Sequence, residues 1–110
     1  MKEVKAIVKH FKANDILSKL IEAGYPNLTV TLSEGTGNFK DAEASISTQF
    51  SITDSKVAKI VLVCNDFEVE KIVSIISSLG RTGNQGDGII YVTDVEKVFS
   101  VKTGLENEMK

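Results

Sequence analysis

Cysteine, proline, tryptophan and arginine are almost missing from this chain of 110 residues. It has Cys64, Pro26, no tryptophan and one arginine, Arg81. A lone cysteine excludes an internal disulfide framework and any CxxC metal or redox motif, and a lone proline leaves no Pro-rich linker. No apolar run approaches the ~20 residues of a membrane span. The opening MKEVKAIVKH has too short an apolar stretch for a secretory leader. The expectation is a cytoplasmic protein that does not insert directly into a membrane. The scarcity of arginine bears on binding, because the guanidinium fork is the group suited to bidentate phosphate clamps. With 13 basic against 15 acidic residues and a net charge of −2, the chain also lacks the clustered positive charge of a nucleic-acid binder.

What remains is ordinary for a folded protein: 42% hydrophobic and 25% charged residues. A chain of this length buries enough apolar surface to fold without staples, so residues 1–110 read as a single domain. Lys2–Val8 reads as a strand. Asn14 is placed to cap a helix starting at Asp15, with Ile16, Leu17, Leu20 and Ile21 on one face and Gly24 as its left-handed stop. Leu28–Ser33 alternates as a second strand. Gly35–Ser55, rich in Gly, Ser and Thr, reads as a long excursion loop, part of it extended near Ile46, Phe50 and Ile52. Lys56–Cys64 is the strongest strand. It is followed by a helix capped at Asn65 or Asp66, with Val69, Ile72, Val73, Ile76 and Leu79 as its stripe and Gly80 as its end. RTGNQGDG then forms a glycine-rich turn before a strand over Ile89–Thr93. Asp94–Val98 reads as a short turn or helix, and the tail from Phe99 frays into charge, with Glu106–Lys110 as solvated surface.

Two strand–helix–strand halves define an α+β, ferredoxin-like double βαβ sandwich with both helices on one face of the sheet. The other face reads as dry: Ala58, Ile60, Leu62 and Cys64 form one row of the third strand, and Val57, Val61 and Val63 populate the other. A sheet apolar on both faces needs a cover, and self-association supplies one.

Several segments carry a family resemblance: MKEVKAIVKHFKANDI, GYPNLTVT, GTG at residues 35–37, and RTGNQGDGIIYVTDVEKVFSVKTG. The chain resembles the PII signal transduction proteins (nitrogen regulatory protein PII), as a divergent PII-like member. TGNQGDGII matches the TG-x-x-GDG signature in spacing and context. The resemblance implies a homotrimer, adenine nucleotide bound in clefts between subunits, and a long loop that grips a target, often a membrane transporter. It carries nucleotide binding onto Ile7, Thr29, Gly35, Thr36, Gly37, Asn38, Gly83, Gln85, Gly86, Asp87, Gly88, Ile89 and Lys102. It carries partner binding onto Phe39, Lys40, Ile46, Phe50 and Ile52.

The departures are specific. The basic residue that follows GDG in the family is Ile89, the arginine after the glycine at the loop start is Asn38, and its neighbouring glutamine is Phe39. The C-terminal basic pair reads Ser100 and Lys102, and the modified loop tyrosine has no counterpart, since the tyrosines are Tyr25 and Tyr91. Lys56 is the candidate for the lysine that meets the 2-oxoacid. Each lost charge-assisted phosphate contact is worth about 1.5–3 kcal/mol. Losing those at Asn38, Ile89 and Ser100 therefore points to AMP or ADP rather than ATP with 2-oxoglutarate. The alternative is a trimeric interaction scaffold with a vestigial pocket, linked to metal-efflux or bicarbonate systems.

Catalysis finds no support in the residues. An acylphosphatase-like enzyme wants an arginine after the first strand, where Lys9, His10, Phe11 and Lys12 stand. An RNA-binding sheet wants aromatics on its central strands, and a metal chaperone wants paired cysteines. The lone His10 reads as a surface residue and Cys64 as a small core residue. The expectation is a regulator and not an enzyme.

Overall fold

The computed structural model describes residues 1–107. Strands β1 (Lys2–Lys9), β2 (Thr29–Gly35), β3 (Ser45–Ile46), β4 (Thr53–Cys64) and β5 (Gly88–Asp94) and helices α1 (Ala13–Glu22) and α2 (Val69–Gly80) follow in the order β1-α1-β2-β3-β4-α2-β5. The main sheet is antiparallel in the order β2-β4-β1-β5, with β3 paired to the start of β4. This is the antiparallel α+β arrangement expected from the two βαβ halves.

Alternation along the strands decides the faces. Val4, Ala6 and Val8 of β1 and Ala58, Ile60, Leu62 and Cys64 of β4 point to one side. There they form one buried cluster with Ile16 and Leu20 of α1 and Ile72 and Ile76 of α2. Fully burying an Ile or Leu side chain contributes about 1.5–3 kcal/mol, so this two-helix cover holds the layers together. Burial pushes the Cys64 thiol up from its ordinary range, as suits a core residue.

The opposite face is mixed rather than dry. The register sets Glu3, Lys5 and Ile7 beside Val57, Lys59, Val61 and Val63, and beside Thr29, Thr31 and Ser33 of β2. The same period of two that aligns the valines also aligns lysine and threonine there.

Several boundaries differ from the sequence reading. Helix α1 begins at Ala13 with no side-chain cap from Asn14, because the turn His10–Lys12 already runs helically into it and Ala13 N–H bonds the His10 carbonyl. Gly24 does stop the helix, at φ +100°. Gly80 ends α2 as its last helical residue, and a side-chain carbon there would lie 3.4 Å from Ile16 Cδ1, at ordinary van der Waals contact. At the front of α2, Glu68 Oε1 accepts from the Asn65 N–H at 2.9 Å. Strand β4 begins at Thr53 rather than Lys56, and β2 runs on to Gly35, so both ends of the Gly35–Ser55 segment are sheet.

Among the described residues after β5 no helix forms. Val95 N–H bonds the Met1 carbonyl, and the tail folds into a turn closed by a Phe99–Glu106 bridge, with Ser100 buried. Residues 108–110 of the expected charged end lie outside the described residues.

Candidate ligand site at the glycine loop

The loop between α2 and β5 is fixed by a carboxylate and by close backbone approach. Asp87 Oδ2 accepts the Thr82 and Gly83 N–H groups, both at 2.9 Å, and Oδ1 accepts the Thr82 hydroxyl at 2.5 Å. The Thr82 hydroxyl, then the two amides, hold the Asp87 carboxyl down at about 2. Lys9 closes the cluster from β1. Its buried ammonium donates to Thr82 Oγ1 at 3.1 Å and lies 3.4 Å from Asp87 Oδ1. Gly88 has φ +109°, and a Cβ there would fall 1.8 Å from the Ile7 carbonyl oxygen. Only glycine lets β5 lie this close to β1.

The start of the excursion meets the same loop. Gln85 Nε2 donates to the Lys40 carbonyl at 3.2 Å, and Gly86 packs beneath that carbonyl, where a Cβ would be 2.8 Å from it. Phe39 lies over Gly35 beside Val57, so it is an anchor of the excursion and half-buried. Thr36 Oγ1 donates to the Thr53 carbonyl at 2.7 Å. Asp41 Oδ1 accepts the Glu43 amide at 2.9 Å and the Ser55 hydroxyl at 3.0 Å, which lower its pKa. Between the two segments lies an open cleft of about 440 Å³, lined by Lys9, Phe11, Asp41, Ala42, Glu43, Asn84 and Gln85.

The residues singled out by sequence divide by this geometry. Ile7, Gly35, Gly83, Gln85, Gly86, Asp87 and Gly88 come together at one end of the sheet, with Thr36, Gly37 and Asn38 at the adjoining turn. Thr29 shares the non-helical face with Ile7 but lies one register step away, opposite Val61. Ile89 is half-exposed and brings no charge. Lys102 hydrogen-bonds through its amide to Ser100 Oγ within the tail turn. Ile46 and Phe50 are exposed, whereas Ile52 is half-buried with its carbonyl accepting the Ser47 N–H. Arg81 is directed back onto α2, donating to the Ser77 carbonyl at 3.3 Å and hydroxyl at 3.2 Å.

Lys9 is the residue that sequence reasoning missed. Its place in the β1 alternation looks like that of any exposed lysine, and only the folded Asp87–Thr82 pair explains its burial. Among the described residues no group of three or more His, Cys, Asp or Glu side chains is placed to hold a metal ion.

The geometry thus defines a small ferredoxin-like α+β protein whose candidate ligand surface is made of glycines, backbone and an internally neutralised Lys–Asp pair. The chain belongs to the nitrogen regulatory protein P-II family, whose members are regulatory signal transducers and not enzymes: the family model described as Nitrogen regulatory protein P-II matches residues 1–105. It is similar to the nitrogen regulatory protein P-II of Pasteurella multocida, 35% identical over 109 residues, covering 98% of this chain and 97% of the relative. It is 32% identical over 108 residues to the protein of the same name from Nostoc punctiforme, covering 97% and 96%. It is 36% identical over 104 residues to the nitrogen fixation nifHD region GlnB-like protein 1 of Methanothermococcus thermolithotrophicus, covering 94% and 96%.

Proposed function

We propose that this P-II family protein is a cytoplasmic homotrimer that binds AMP or ADP in clefts between subunits and uses the segment after β2 as a long regulatory loop on a partner such as a membrane transporter. The observation that carries the reading is the contact of the glycine loop with the start of that segment, through Gln85 and Gly86 on Lys40. A phosphate seated at the glycine loop would then be felt by the segment that meets the partner, shifting its population of conformers. Lys102, in the tail turn, would reach the cleft from a neighbouring subunit.

The preference for fewer phosphates is supported by the uncharged, half-exposed Ile89 and by Asn38 at the adjoining turn. A weak response to 2-oxoglutarate is supported by Lys56, whose ammonium already lies 3.2 Å from Glu34. Calorimetry with AMP, ADP, ATP, and ATP plus 2-oxoglutarate tests the reading. Tightest binding of AMP or ADP is expected, and tightest binding of ATP with 2-oxoglutarate overturns it.

The Lys9–Asp87–Thr82 cluster satisfies itself without a ligand, which favours a second reading as a trimeric scaffold with a vestigial pocket, tied to metal-efflux or bicarbonate systems. Thermal shift separates the two, because a ligand at 100 times its Kd adds about 2.7 kcal/mol of stability. The scaffold predicts no shift with any nucleotide.

A further inference from the structure

A second polar cluster lies on the helical side of the sheet, where the excursion returns. Glu34 of β2 stands opposite Lys56 of β4, and Asp54 lies two residues earlier on the same side of β4. Asp54 is 3% exposed and the Glu34 side chain 11%. Both Glu34 oxygens are taken: Oε2 accepts the Ser47 hydroxyl at 2.5 Å, and Oε1 accepts the Lys56 ammonium at 3.2 Å. The Ser47 oxygen also accepts the Gln49 and Phe50 amides at 3.1 and 3.0 Å, shaping the turn between β3 and β4. Asp54 lies beside Glu34 across the strand pair, and its buried Oδ2 has no hydrogen-bond partner among the described residues.

Two adjacent buried carboxylates facing one ammonium leave one negative charge without compensation, which burial makes costly. A metal ion does not resolve this, because among the described residues no third His, Cys, Asp or Glu side chain joins the pair and Lys56 already brings positive charge. A proton does. We propose that Glu34 and Asp54 share one proton and, through Ser47, form a latch that pins the β3–β4 hairpin onto β2. The position of its exposed apolar tip, Ile46 and Phe50, is thereby set by pH.

The charged groups facing Asp54 are Glu34 from β2 and Lys56 from its own strand, while the excursion contributes the uncharged Ser47. The hydrogen bond to Glu34, then burial, hold the Asp54 carboxyl up, and Glu34 is held down at about 2. The pair titrates as a unit. A raised carboxyl stabilises the form that keeps its proton, so the latch is closed below the folded pKa of Asp54 and loosens as pH rises through it.

The inference is independent of any nucleotide. It is tested by following carboxyl carbon NMR signals and the amide exchange of Ser47, Gln49 and Phe50 in the wild-type protein across pH. Asp54 is expected to titrate above the ordinary carboxylate range. The three amides should lose protection over the same interval, beyond the intrinsic rise of exchange with pH. Asp54→Asn, which donates to Glu34 at every pH, should abolish that step. Titration of Asp54 at or below the ordinary range overturns the latch, as does protection that ignores its transition or an unchanged step in Asp54→Asn.

Discussion

Gly88 and Gly37 both have positive φ, but their surroundings set different costs. At Gly37 nothing lies within 4 Å of an added Cβ, so Gly37→Ala should cost about 1–2 kcal/mol of conformational strain. At Gly88 the added carbon would meet the Ile7 carbonyl oxygen at 1.8 Å. Gly88→Ala must push β5 off β1 and should cost at least about 3 kcal/mol, since overpacking alone costs 1–3. Paired urea unfolding curves check the contrast. Equal losses would mean that the close approach is not a constraint. Asp87 carries a pH signature. Its folded value near 2 lies below the unfolded one, so its contribution is complete above pH ~4 and lost as pH falls toward 2. That contribution is about 2 kcal/mol at most, and Asp87→Asn should remove this part of the acid sensitivity of stability, read from melts between pH 2 and 6.

At the scale of elements, hydrophobic pattern and propensity located what packing also demands. Both helices, β1 and the core of β4 follow from their apolar rows, and Ile60→Ala in the buried row of β4 should cost about 2–5 kcal/mol in denaturant unfolding. What was illegible is pairing imposed from outside the segment. Asp54 is a poor strand former and its neighbours show no apolar row, yet Thr53, Asp54 and Ser55 extend β4 because Ile46, Ser45 and Gly35 offer backbone partners. Asn14 is a suitable cap by local sequence, but a preceding turn already supplies the helical backbone. At the site, TGNQGDG announced the loop but not its internal wiring. That Asp87 turns inward to its own amides, and that Lys9 follows it into burial, depends on side chains far apart in sequence meeting across β1.

For the whole molecule, the face opposite the helices joins valines with Lys5, Lys59 and threonines. Such a surface suits an association with a polar component. Light scattering is expected to give three chain masses, and a monomer at micromolar concentration would remove the basis for clefts between subunits. The strand order has a different consequence, in time rather than in space. β1 is made first but lies between β4 and β5, and its last partner runs to Asp94. While the chain is synthesised, this strand, apolar on its helix-facing side, has unpaired edges until nearly all of its partners have emerged, a hazard for edge-to-edge aggregation. Non-local pairing of this kind folds in milliseconds to seconds rather than microseconds, which stopped-flow refolding can measure. A chain ending before Gly88 should therefore fail to fold alone, because its central strand would be left as an edge.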